Sequence, residues 1–113
     1  MHEFSITQNI LAIALEKANE ANASKITQIN IVVGELSGIA SECVQFYFDF
    51  LSQDTIAAEA GLNFTKIPFQ LRCSGCATIF SPDGFDWTCP KCGGQRSEAI
   101  SGGECYLDSI EVE

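Results

Sequence analysis

Histidine occurs once in 113 residues, at position 2. A single imidazole excludes a histidine-based catalytic triad and a catalytic metal site built on two histidines. Basic side chains are also scarce, with six lysines and arginines against 15 aspartates and glutamates and a net charge of −9. Those six (Lys17, Lys25, Lys66, Arg72, Lys91 and Arg96) are scattered along the chain. A phosphate-binding surface needs a basic footprint, so nucleic acid is not an expected partner and another protein is. No apolar run reaches the length that crosses a membrane, and the start lacks an export signal. Neither a P-loop nor a dinucleotide fingerprint is present. These absences predict a cytoplasmic protein that is not an enzyme and has no membrane association.

What the chain does have is cysteine, six in all. Without an export signal they are expected to stay reduced, and paired thiols in a reducing compartment bind metal more often than they form disulfides. Four are arranged as Cys73-x-x-Cys76 and Cys89-x-x-Cys92, the spacing of a tetrahedral thiolate site. The segment from Arg72 to Gly94 is too short to hold itself by burial, and an ion on four sulfurs would staple it. No coordination position is left open, so the site is expected to be structural rather than hydrolytic. Zinc is the favoured ion, and iron in the same cage would make a rubredoxin-like electron carrier. Gly93, directly after Cys92, suits a tight knuckle aiming backbone N–H groups at sulfur. Ala77 holds the equivalent place after Cys76, which predicts unequal knuckles. Cys43 reads as a small buried residue, and Cys105 has no assigned role.

The remainder reads as one α+β domain of two helices and a small three-stranded sheet, interrupted by a zinc ribbon. The expected division is 1–71 with 95–113 for the α+β part and 72–94 for the ribbon. Ser5-Ile6-Thr7-Gln8 has the pattern of a capping box, which predicts a helix from about Ser5 to Asn22. Ile6, Ile10, Ile13 and Ala14 fall on one face of it, flanked by Leu11 and Ala18. The β-branched run Ile29, Ile31, Val32, Val33 predicts a strand over Ile26 to Gly34. Gly34-Glu35-Leu36-Ser37-Gly38 is a loop. A second helix is predicted from Ser41 to Gln53, burying Val44, Phe48 and Leu51. Leu62 to Leu71 reads as a strand in which Pro68 marks an edge or bulge. Ser81-Pro82-Asp83-Gly84 reads as a hairpin turn joining Thr78–Phe80 to Phe85–Trp87. Tyr106 to Val112 is a last strand, burying Leu107, Ile110 and Val112 and sharing a sheet with the first.

The lone His2 has a different metal chemistry. An initiator methionine followed by so large a residue is expected to be retained, so a free α-amine, backbone amides and an imidazole lie within three residues. Nitrogen donors so placed can chelate a square-planar Ni(II) or Cu(II) ion. A helix capped at Ser5 would leave Met1, His2 and Glu3 outside it.

Four motifs in order carry a resemblance over essentially the whole chain: Met1-His2-Glu3-x-Ser5, Gly34-Glu35-Leu36-Ser37-Gly38, the two CxxC pairs, and Ser109-Ile110-Glu111-Val112-Glu113. Together they resemble the HypA/HybF family of hydrogenase-maturation nickel chaperones. The resemblance implies a cytosolic carrier that delivers Ni(II) to the [NiFe]-hydrogenase large-subunit precursor, with a HypB-type GTPase as partner. It implies nickel ligands at Met1, His2 and Glu3, and structural zinc on Cys73, Cys76, Cys89 and Cys92. Many members carry an acid where this chain has Ala40, and the nearest acid here is Glu42. Two other readings stay open on the residues alone: a zinc-ribbon adaptor that only joins proteins, and the rubredoxin-like carrier.

Overall fold

The computed structural model describes residues 2–84 and 86–113, and His2 by its backbone alone. Chain order is α1 (His2–Glu20), β1 (Ile26–Gly34), α2 (Ser41–Leu51), β2 (Gly61–Ile67), β3 (Gln70–Cys73), β4 (Ile79–Phe80), β5 (Ser97–Ser101) and β6 (Cys105–Val112). The α+β class with two helices is borne out, but the strands form two three-stranded sheets, ordered β2-β1-β6 and β4-β3-β5.

In the first sheet β1 is central, parallel to β2 and antiparallel to β6. Parallel neighbours need a crossover, and α2 supplies it. Ile29, Ile31 and Val33 alternate along β1 and form one core with Ile10, Leu11, Ala14 and Ala18 of α1 and Val44 and Phe48 of α2. Both helices therefore cover one face of this sheet. The other face is polar at its centre: Asn63 and Gln28 amides donate to Asn30 Oδ1, and Asn30 Nδ2 donates to Ser109 Oγ. β6 shifts register between Leu107 and Ser109. The shift lets Leu107 and Ile110, three residues apart, both pack against the core. Val112, expected to be buried, ends the strand 40% exposed.

Several local expectations are corrected. Helix α1 begins at His2 rather than at a Ser5 cap. Glu3 therefore lies in its first turn, where Thr7 Oγ1 donates to the Glu3 carbonyl and the Ala40 N–H donates to Glu3 Oε2 at 3.3 Å. The buried stripe of α1 includes Thr7, while Ile13 is 43% exposed. Cys43 is exposed, because it lies about 100° around α2 from Val44. Pro68 does not bulge a continuous strand. Having no N–H to donate, it separates β2 from β3, and the chain changes sheets there. Gly84 takes a positive φ of 63°, so the turn after Pro82 exists. Its second arm is not a strand, however: Asp83 and Asp86 form only an isolated bridge, and β4 pairs with β3. The part of that expectation resting on Phe85 lies outside the described residues. Strand β5 was not expected.

The two sheets meet where three stretches of backbone cross. Gly34 N–H donates to the Glu104 carbonyl, Leu36 N–H to Gly102, and Glu35 N–H to Ile67. A Cβ on Gly34 would stand 2.2 Å from the Gly102 carbonyl oxygen, and one on Gly102 would stand 2.6 Å from Phe69 Cα. Gly102 also has φ +106°, a conformation that side chains oppose. Gly34→Ala is therefore expected to cost more than about 3 kcal/mol in denaturant unfolding. Gly103→Ala, where nothing lies within 4 Å, should stay within about 0.5 kcal/mol. Equal effects at the two positions would refute the crossing as the tight point.

Candidate metal centre

β3 delivers Cys73 at its end, and the short loop before β4 delivers Cys76. Cys89 and Cys92 lie on the matching loop before β5. The local backbone explains why the sulfurs converge. Ala77 N–H donates to the Cys73 carbonyl, and Cys73 N–H to the Thr78 carbonyl. In the second loop Gly93 N–H donates to the Cys89 carbonyl, and Cys89 N–H to the Gly94 carbonyl. The two loops are copies of one knuckle. Ala77 takes φ 62° and Gly93 takes φ 73°, so the expected inequality is absent from the geometry. The difference is that Ala77 adopts a left-handed conformation that costs a residue with a Cβ about 1–2 kcal/mol.

All four Sγ atoms lie within 4.8 Å of one another. Cys73 and Cys92 sulfurs are 3.5 Å apart, and Cys76 and Cys89 sulfurs 3.6 Å. Metal–sulfur bonds of about 2.3 Å at tetrahedral angles put sulfurs about 3.8 Å apart, so the cage fits one tetrahedral ion with small adjustments. Cys73 and Cys89 are buried, Cys76 and Cys92 exposed. Gly75 N–H donates to Cys73 Sγ and Gly94 N–H to Cys92 Sγ, each at 3.4 Å. Gly93, at φ 73°, makes the tight turn that aims the Gly94 N–H at sulfur. The Thr78 hydroxyl lies 3.0 Å from Cys76 Sγ. This contact was not anticipated, although a hydroxyl two residues after a CxxC pair is its visible signal.

The electrostatics suit a cation. Thr78, through its hydroxyl and then its N–H, lowers the Cys76 thiol to about 6. N–H groups of Cys76 and Gly75 lower Cys73 as well. Gly94 N–H favours the Cys92 thiolate, but the three neighbouring sulfurs outweigh it and push that thiol up to about 12. Thiolates crowded this closely cannot all ionise unaided, and an ion at their centre removes the obstacle. Burial raises the Cys105 thiol, which stands apart from the cluster on β6.

The other expected site is at the start of α1. Met1 and the His2 side chain lie outside the described residues. Glu3 is placed: its carboxylate reaches the Ala40 N–H at the head of α2, tying the start of α1 to the loop before α2. The His2 N–H sits at the first helical position, where no carbonyl within the helix can accept it.

Ala77→Gly should relieve the left-handed strain of the first knuckle and stabilise the metal-loaded protein by about 1 kcal/mol. The check is thermal unfolding of both forms at matched metal content, and a lower midpoint for the variant would contradict the strain.

Comparison with known proteins agrees with this architecture. A family model described as "Hydrogenase/urease nickel incorporation, metallochaperone, hypA" matches residues 1–112. The hydrogenase maturation factor HypA of Dehalococcoides mccartyi (strain ATCC BAA-2266 / KCTC 15142 / 195) is 45% identical over 113 residues, covering 100% of this chain and 95% of that protein. Its counterpart in Caldanaerobacter subterraneus subsp. tengcongensis is 42% identical over 114 residues, covering 100% of both. A solution structure of a HypA protein superposes with a TM-score of 0.78 at 26% identity, covering 100% of this chain and 97% of that one. The solution structure of the Ni metallochaperone HypA from Helicobacter pylori shares the fold, with a TM-score of 0.66 at 24% identity over 97% of this chain and 96% of that one. With its four-cysteine metal cluster and a family match spanning nearly every residue, this chain belongs to the HypA family of nickel-incorporation metallochaperones.

Proposed function

We propose that the chain binds Ni(II) reversibly at its N-terminus and passes it to the [NiFe]-hydrogenase large-subunit precursor, working in the cytoplasm with a HypB-type GTPase. The supporting observation is the family match over residues 1–112 in a chain whose single histidine is residue 2. The ligands would be the Met1 amine, a deprotonated backbone amide of His2 or Glu3, and the His2 imidazole. Planar nitrogen coordination suits Ni(II). The start of α1 at His2 is compatible with this, because first-turn N–H groups are not part of the helical ladder. The Glu3 carboxylate, which accepts the Ala40 N–H, would hold this segment in place while its backbone amide stays available to the metal.

The tetrathiolate cage would hold Zn(II) permanently. Its role is structural, uniting 72–94 with the strands on either side, while the α+β part formed by 1–71 and 95–113 carries the nickel. Zinc gives a colourless protein, whereas iron in the same cage would absorb visible light.

His2→Ala should abolish tight nickel binding in a titration of the untagged protein and leave zinc content and helical signal unchanged. A residue added before Met1 should do nearly the same by moving the free amine away from His2. Protons compete for the amine, the imidazole and the amide, so nickel affinity should fall as pH drops. Nickel binding that survived both changes would move the site elsewhere and sink this reading.

Cys73→Ser with Cys76→Ser should lose one zinc and melt amide signals chiefly within 72–94, with β5 following because it pairs with β3. Metal-coupled folding of such modules is worth on the order of ten kcal/mol in isolated peptides. The core of α1, β1, α2 and β6 has its own buried residues and should keep its signals. Loss of every signal together would refute the division.

A further inference from the structure

Phe46 and Phe50 stand one turn apart on α2, 70% and 67% exposed. With Phe4, Tyr47, Asp49 and Gln53 they line an apolar groove of about 580 Å³. The aromatic rings are already ordered against one another: Phe4 meets Tyr47 edge-on at 5.2 Å, and Phe46 meets Tyr47 at 5.5 Å. The core does not use these side chains, since α2 buries Val44 and Phe48 on its other side. Large apolar groups concentrated on one outward face mark an interaction surface.

The geometry points to this face as the docking site for an amphipathic helix of a partner protein, apolar along one stripe and flanked by lysine or arginine. Helix backbone offers no free edge for strand addition, so side chains set into the groove must make the contact. Charge selects among possible occupants. Asp49 lines the groove, and among the described side chains of α1 and α2 the acids Glu3, Glu16, Glu20, Glu42 and Asp49 outnumber the base Lys17. A second copy would set acid against acid between chains that each carry −9. An anionic membrane would be repelled for the same reason, whereas a basic rim would be attracted. The groove also adjoins the N-terminal segment, because Phe4 follows Glu3 directly. That a docked partner would lie beside the cargo rests on the nickel reading above; the docking does not.

The test uses the full, zinc-loaded, nickel-free chain, labelled with nitrogen-15. It is titrated with a synthetic leucine–lysine peptide patterned as an amphipathic helix. A scrambled peptide of the same composition and a leucine–glutamate version serve as controls. Amide shifts should concentrate at Phe4, Phe46, Tyr47 and Phe50. Both control peptides should bind at least about tenfold more weakly, and so should the patterned peptide to Phe46→Ser/Phe50→Ser. Those positions are exposed, so the variant's circular dichroism should match the parent. Shifts spread evenly over the acidic surface, or unchanged affinity in the variant, would overturn the proposal. It would be overturned equally by self-association that the variant abolishes, which would make the occupant a second copy. Binding to anionic vesicles through the same residues would do so as well.

Discussion

Everything in this molecule hangs on a backbone crossing with no room for a side chain. Gly34, Gly102 and Phe69 approach so closely that a single methyl group on either glycine would overlap main-chain atoms. Through this point β1 ends, β2 gives way to β3, and β5 gives way to β6. The hydrogen bonds from residues 34, 35 and 36 reach both connections, and Ser101 Oγ adds one to the Pro68 carbonyl at 2.8 Å. The junction thus fixes two sheets to one another although each has its own core. Phe69 and Leu71 pack with the buried cysteines in the second core, while Ile29 and Ile31 pack with the helices in the first. Beside the crossing, the Phe69 and Trp87 rings lie 5.4 Å apart, so the metal-bearing loops rest on the same linker that joins the sheets.

Much of this arrangement was legible wherever local pattern and global burial agree. Val44 and Phe48 are four apart and buried, the β-branched run of β1 is the central strand, and the spacing of four cysteines forecast one cage. The failures have physical causes that no local pattern contains. Ser5 and Gln8 make a plausible capping box, yet Glu3 gains a partner in Ala40, far along the chain, and the helix starts earlier. Strand β5 has no alternation to read. Ser97 pairs with Cys73 because the knuckles bring it there, with Ser74 N–H donating to the Arg96 carbonyl. Ala77 looked unsuited to a knuckle because alanine disfavours positive φ, but the shared hydrogen bonds of the loop over-determine that conformation. The candidate cysteine site was therefore readable to the residue, while its supporting donors were not. Of the proposed N-terminal ligands, the Met1 residue and the His2 side chain lie outside the described residues.

The two binding chemistries make opposite demands on the fold. A permanent ion needs converging, closed ligands, and the paired knuckles supply them with N–H donors aimed at sulfur. A cargo ion needs ligands that can let go, and a chain terminus is where backbone nitrogens are least committed to the fold. On the proposed reading the second would sit at the start of α1, where Glu3 reaches the head of α2, the helix whose outer face carries Phe46 and Phe50.

The central position of β1 has a consequence for synthesis. β1 pairs with β6 from Ile26 opposite Val112 to Val33 opposite Cys105, so one edge of it stays open while the ribosome makes the residues between. The cysteine loops lie within that interval and form a contiguous stretch with β3, β4 and β5. They can therefore capture their ion before the first sheet is complete. An unpaired central strand is an invitation to aggregation, and sequence-distant pairing is slow. Early metal capture would shorten the effective loop between β1 and β6, and the supply during translation of the ion that fits the cage would then bear on the yield of folded protein.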